Sequence, residues 1–202
     1  AGFAITGVEM AASRFLAPYF GTSHIVWANV IGVILLAMAI GYAVGGKLVD
    51  KYPAEKSLFG IGALGAIILA MLPVIANILL LPLSRGLIQS EAGIIFATFI
   101  ATLILFGCPI FLLAMLSPYA VRLLSTDIEV VGSRSGSLSF WSTLGSILGI
   151  YITSFFLVPF IGIRESVWIF AALLFIPSVF FLPKKLMFSA FFMAVLFVSY
   201  FI

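Results

Sequence analysis

Charge is the scarcest ingredient of this sequence. Asp, Glu, Lys and Arg make up only 8% of its 202 residues, and 64% are apolar. A water-soluble domain carries about 25% charged residues, so this chain cannot clothe a folded surface in polar groups. Its solvent must be mostly lipid. Histidine and cysteine occur once each, as His24 and Cys108. One cysteine excludes an intrachain disulfide, and one histidine so far from it leaves no metal site to expect. No G-x-S-x-G, H-E-x-x-H or P-loop occurs, and no pair of carboxylates shares a helical face. A catalytic constellation is therefore missing, and no cofactor is expected. The net charge of +3 is small and spread over the connections, which points to membrane orientation and away from nucleic acid.

What the chain has instead is long apolar runs. About 20 such residues span a bilayer core, and seven stretches reach or approach that length. They run over about 2–16, 25–48, 57–83, 92–116 (continuing as an amphipathic turn to Leu124), 136–160, 166–182 and from Leu186 to the end. Prolines, glycines and charges gather between them, at "APYFGTSH", "KYPAEK", "PLSRGLIQSE", "STDIEVVGSR", "IGIRES" and "PKK". Barrel strands are about 10 alternating residues, far shorter than these unbroken runs. The expected fold is all-α: one polytopic transmembrane bundle of about seven helices over 1–202, with no soluble catalytic domain in these residues. The chain opens apolar at Ala1 and stops inside "FFMAVLFVSYFI", so the expectation is a piece of something longer.

The run "GIGALG" at 60–65 has the spacing of a dinucleotide-binding turn. That turn needs a strand before its first glycine, a helix after it and an acidic residue about 20 positions on. Here Ile, Ala and Leu separate the glycines within an apolar span, and Arg85 and Gly86 stand where the acid should be. The glycines read as places where helices approach closely in lipid.

Basic residues orient the chain. Lys47, Lys51, Lys56, Arg122, Arg134, Lys184 and Lys185 fall in connections on one side, against Arg14, Arg85 and Arg164 on the other. The positive-inside rule then puts the chain start in the cytoplasm, with a prokaryotic inner membrane as the expected setting.

Polar residues at membrane depth are costly enough to need a reason. In "GVEMAASRFLAPYFGTSHIVW", Glu9 and Arg14 are five apart, about 140° from each other around a helix. They would pair poorly, so each faces another helix, the interface or a polar cavity. Glu9 reads either as a structural partner or as a cation or proton site. Its expected neighbours are Arg14, Arg122 or a serine of the fifth span. Pro18, Tyr19 and Gly21 should break the helix, with His24 and Trp27 at the re-entry, where an interfacial belt is the plainer reading. Gly41/Gly45, Gly132/Gly136 and Gly145/Gly149 form G-x-x-x-G faces for close packing. Ser139, Ser142, Thr143 and Ser146 could bond across helices or line a polar path.

Two resemblances follow from these blocks. "GYAVGGKLVDKYPAEK" resembles the loop between the second and third helices of the major facilitator superfamily. Gly46, Leu48, Asp50 and Lys51 match it, and Pro53 departs from it. The resemblance implies that Asp50 pairs with a neighbouring helix and gates the cytoplasmic side, although a solvated loop charge fits the residues equally. "RFLAPYFGTSHIVWANVIGV", "GYAVGGKLVD", "SPYAVRLL" and "STLGSILGIYITSFFLVPFIGIR", taken in order, resemble the membrane domain of membrane-fused spermidine synthases. That implies a bundle like half of a facilitator transporter, followed in the family by an aminopropyltransferase domain. It further implies a small cationic solute such as a polyamine, with Glu9, Arg14, Tyr19, His24, Trp27, Tyr119, Arg122 and Trp141 as the candidates to contact it. A second copy or other membrane subunits would complete the assembly. The rival expectation is an anchor or assembly subunit that transports nothing.

Overall fold

The computed structural model describes residues 2–87, 90–124 and 131–181. Among them no strand forms; six helical rods account for nearly everything. We number them α1 (Gly2–Phe20), α2 (His24–Lys51), α3 (Glu55–Leu87), α4 (Glu91–Leu124), α5 (Val131–Ile161) and α6 (Ile163–Phe181). The expected seventh span, from Leu186, lies outside the described residues, as do Lys184 and Lys185.

The breaks between rods come from local chemistry. The first helix does not end at Pro18, as its sequence suggests, but continues through it to Phe20. A proline in a last turn forfeits one backbone bond only. Gly21 then adopts φ +79° and its N–H bonds back to Ala17 O at 2.9 Å, the left-handed cap that glycine supplies without steric cost. Ser23 caps α2, its hydroxyl accepting from Val26 N, and Ser90 caps α4, accepting from Gly93 N. Two rods contain wider, π-helical stretches, Leu103–Gly107 in α4 and Thr153–Ile161 in α5. Pro109 offers no N–H to the Leu105 carbonyl and Pro159 none to that of Phe155, so the ladder slips locally.

Five of the rods, α2 to α6, are long and apolar enough to cross a membrane. Thr6, Glu9, Ser13 and Arg14 make α1 the more polar exception. It compensates by burial: Val8, Ala11, Ala12 and Leu16 are fully enclosed. Around α1 and α4 the core gathers, with Phe106, Ile110 and Leu113 of α4, Ile34 of α2, Leu69, Leu72 and Leu80 of α3, and Phe170 of α6. Phe15 meets Phe106 edge-on, ring centres 6.4 Å apart. The outermost rod is α5, in which only Gly149 and Thr153 are buried.

The packing pattern repeats. Rod α4 packs on α2 and α3; α1 packs on α5 and α6; α3 packs on α6. So α1 stands to α5 and α6 as α4 stands to α2 and α3. Within each pair the direction is readable from contacts. Gly2 lies by Ser142, and Thr6 bonds Ser146 O, so α1 and α5 run parallel. Asn29 meets Thr98, and Gly45 meets Met115, so α2 and α4 run parallel too. The α4 and α5 ends meet where the Arg134 guanidinium donates to Leu124 O, which makes α1 and α4 opposite in direction. The repeat is inverted.

Both parallel seams run over glycine. A Cβ on Gly41 would lie 2.5 Å from Phe111 O and one on Gly45 2.8 Å from Met115 Cα. On Gly149 it would strike Phe3 O and sit 2.6 Å from Thr6 Oγ1, whereas on Gly145 it would reach Phe3 N only at an ordinary 3.5 Å. Within "GIGALG", Gly62 and Gly65 press on Ser178 and Leu113 while Gly60 faces open space; all three are mid-helix, and no nucleotide turn exists there.

These distances set an expected ranking. Gly149→Ala and Gly41→Ala should cost about 1–3 kcal/mol, the usual range for overpacking. Gly145→Ala should be close to neutral, and Gly60→Ala should stabilise by about 0.5–1 kcal/mol through helix propensity. Unfolding in mixed detergent measures all four, and equal losses at Gly149 and Gly60 would overturn the seam geometry.

Candidate functional site

The sequence candidates do not converge on one pocket. At the lysine-rich end, Tyr119 of α4 is fully buried; its hydroxyl lies by Ser57 but completes no hydrogen bond of normal geometry. Arg122, one turn on, reaches Asp50 across the α2–α4 seam, Nε to Oδ1 at 3.8 Å, with both side chains exposed. An exposed pair of this kind is worth about 0–1 kcal/mol, so it can tie the rods without locking them. Gly46 and Lys51, expected in a loop, lie in the last turns of α2: a Cβ on Gly46 would meet open space, and Lys51 Nζ sits 5.3 Å from the ring centre of its neighbour Tyr52. At the opposite end, His24 opens α2, Trp27 is exposed one turn on, and Tyr19 packs partly buried against the core. Trp141, 65% exposed, stands on the outer face of α5 against Phe140. Arg14 is exposed on α1.

Glu9 remains, and its surroundings are specific. Ile5, Ala12 and Leu16, its neighbours at helical spacing on the core side, are all buried. Thr6 and Ser13, at the same spacing on the other side, carry hydroxyls. Each is committed elsewhere: Thr6 Oγ1 lies 3.0 Å from both Gly2 O and Ser146 O, and Ser13 Oγ bonds Met10 O at 3.4 Å. Glu9 itself is half-buried. The expected partners do not reach it, since Arg122 is turned to Asp50, Arg14 lies around the helix, and Ser146 of the fifth span faces Gly2 and accepts from Thr6 at its carbonyl. Among the described residues the Glu9 carboxylate has no hydrogen-bond or ionic partner. Among the described residues it shares that state with the buried hydroxyls of Tyr119 and Thr153, but it is the acid of the three.

Sequence reasoning passed over two polar groups this deep. Asn29 Nδ2 donates to Ile95 O at 3.0 Å and to Thr98 Oγ1 at 2.6 Å, and Thr98 in turn donates to Ile94 O. The amide nitrogen and the hydroxyl link α2 and α4 in one chain of bonds. An asparagine within "WANVIGV" was a visible signal, because an amide among apolar residues must find a partner in lipid. The second is Thr153, fully buried, whose hydroxyl bonds to nothing among the described residues. It stands at the start of the π-helical stretch of α5, where a Cβ on Gly7 would come within 2.9 Å of it. Thr6, Thr98, Thr102, Ser166 and Ser178 all turn back to their own helix carbonyls; Thr153 does not. Only the structure could show this, since the widened turn follows from Pro159 six residues later.

Interhelical hydrogen bonds in membranes average about 0.6 kcal/mol and reach about 1.7 kcal/mol. Asn29→Leu should therefore lower stability by that order, and Thr98→Val in the same background should add little more, because the two share one network. A double-mutant cycle in detergent measures it, and full additivity would show the pair is not coupled.

Compared with models of known protein families, with curated proteins and with solved structures, the chain matches none.

Proposed function

We propose that this chain is a half-bundle of a transporter-like membrane domain, similar to that of membrane-fused spermidine synthases, and that it binds a small cationic solute such as a polyamine at Glu9. The observation that carries this reading is the unpartnered carboxylate. An ionised acid at the centre of a membrane helix costs about 2.5–3.5 kcal/mol on insertion scales. A carboxylate with no partner among the described residues leaves room for something else to be placed against it, and a cation from solution is the simplest such partner. The inverted repeat of three and three rods supports the transporter comparison, since inverted repeats are how many transporters place a site at mid-depth. The basic end, with Lys47, Lys51, Lys56, Arg122 and Arg134, supports a cytoplasmic chain start. In this reading the Asp50–Arg122 pair closes that end, and a second bundle beside the open flank of α1 encloses the path.

One observation favours the rival, an anchor or assembly subunit. The outward face of α5 carries Phe140, Trp141, Phe155, Phe156 and Phe160, each at least 60% exposed. Such a face suits another membrane subunit as well as it suits lipid.

Glu9→Gln separates the two. If the carboxylate binds solute, spermidine binding by calorimetry should fall at least tenfold, about the value of one charge-assisted hydrogen bond, with melting unchanged. Wild-type protein that binds no polyamine, or a Gln variant that binds as well as wild type, would leave the anchor reading standing.

A further inference from the structure

We propose that the lysine face at the α2–α3 turn binds the phosphate of an anionic phospholipid. This inference does not depend on the solute reading. Lys47 and Lys51 are four apart in the last turns of α2, so they share one face; Lys56 follows in the first turn of α3. All three are exposed. Asp50, the carboxylate nearest to Lys47 and Lys51 in sequence, faces Arg122 of α4 at 3.8 Å, and Glu55 adjoins Lys56. Glu55 is the other described acid at this end, against five described cations; Asp127 and Glu129 lie outside the described residues. The Arg134 guanidinium donates to Leu124 O at the α4 terminus, which puts its charge at the same end of the bundle.

The shape of the turn fits a headgroup. Lys47 lies one helical turn deeper than Lys51, so its long stem rises along the helix and places the ammonium at phosphate level. Next to Lys47, on the side away from Lys51, Gly46 faces open space. Tyr52, half-exposed under the Lys51 ammonium, is the kind of aromatic that settles at the interface. At the other end of the rods the charges balance differently: Arg14, Arg85 and Arg164 stand with Glu91 and Glu165, and Arg164 already donates to Asn77 Oδ1 at 2.9 Å. Clustered lysines at the end of membrane helices attract anionic headgroups with a roughly fivefold gain in affinity per charge.

The test uses the purified full chain in neutral detergent, with phosphatidylglycerol or phosphatidylcholine added, read by native mass spectrometry and by melting. Phosphatidylglycerol should bind and raise the melting temperature more than phosphatidylcholine, and the difference should shrink with added salt. Lys47→Gln, Lys51→Gln and Lys56→Gln should each weaken binding about fivefold, while Arg85→Gln should not change it. Lys47→Arg, Lys51→Arg and Lys56→Arg in one protein keep the charge and should keep the lipid, which guards against a loss through misfolding. Equal binding of the two lipids by wild-type protein, equal loss in the Arg85→Gln control, or equal stabilisation by inorganic phosphate alone would overturn the proposal.

Discussion

Close approach of helix backbones at glycine is the constraint on which this fold rests. With lipid outside, an apolar side chain gains little by leaving one hydrocarbon surface for another, so the hydrophobic effect does not choose which helices meet. Dispersion and interhelical hydrogen bonds choose, and both need short distances. Gly41 and Gly45 let α2 lie against Phe111, Ala114 and Met115 of α4; Gly149 lets α5 lie against Phe3 and Thr6 of α1. Those seams bring Asn29 to Thr98 and Thr6 to Ser146, so hydrogen bonds form where the backbones are already close. The remaining pair, α3 with α6, is held antiparallel by Trp168 donating to Ala70 O and Arg164 to Asn77.

The same constraint explains where polarity is tolerated. The least apolar rod, α1, lies in the middle of the bundle, where five neighbours surround it. The hydroxyls of Thr98 and Thr102 turn back to carbonyls of their own helix, a fourth-residue bond that leaves no donor facing lipid. Glu9 and Thr153 break that economy. One is a half-buried acid at the flank of α1, the other an enclosed hydroxyl at a helix irregularity. They face different directions around α1, so they do not make one site. The acid is the group whose exposure to a solute makes chemical sense, and the threonine marks the place where α5 departs from regular geometry.

Much of the architecture was legible in the residues. Runs of membrane length separated by Pro, Gly and charge located the rods, and the spacings Gly41/Gly45 and Gly145/Gly149 marked faces that meet a neighbour, whereas Gly132 and Gly136 face open space. Helix ends were less legible. Glu91 and Arg134 lie inside helices although they read as loop, because rods of 28 to 34 residues rise about 42–51 Å and outrun the hydrocarbon into water. Pro18 was read as a break, yet one missing N–H near a terminus costs little when Gly21 closes the helix beyond it. Partners were hardest. Spacing shows which residues share a face, but which helix that face meets depends on long-range contacts. This is why Glu9 was given neighbours it does not have, and why candidates as far apart as Tyr119 and Trp27 were grouped as one site.

Cross-linking across the two glycine seams tests the central claim most directly. In a Cys108→Ala background, cysteines at Thr6 and Ser146 and, separately, at Asn29 and Thr98 would be joined by a short bifunctional thiol reagent in native membranes. The parallel seams require both pairs to link efficiently, with no link when Thr6 is paired instead with Ser137. Failure of both pairs in correctly inserted protein, or a strong link to Ser137, would contradict the packing on which the rest of the account depends.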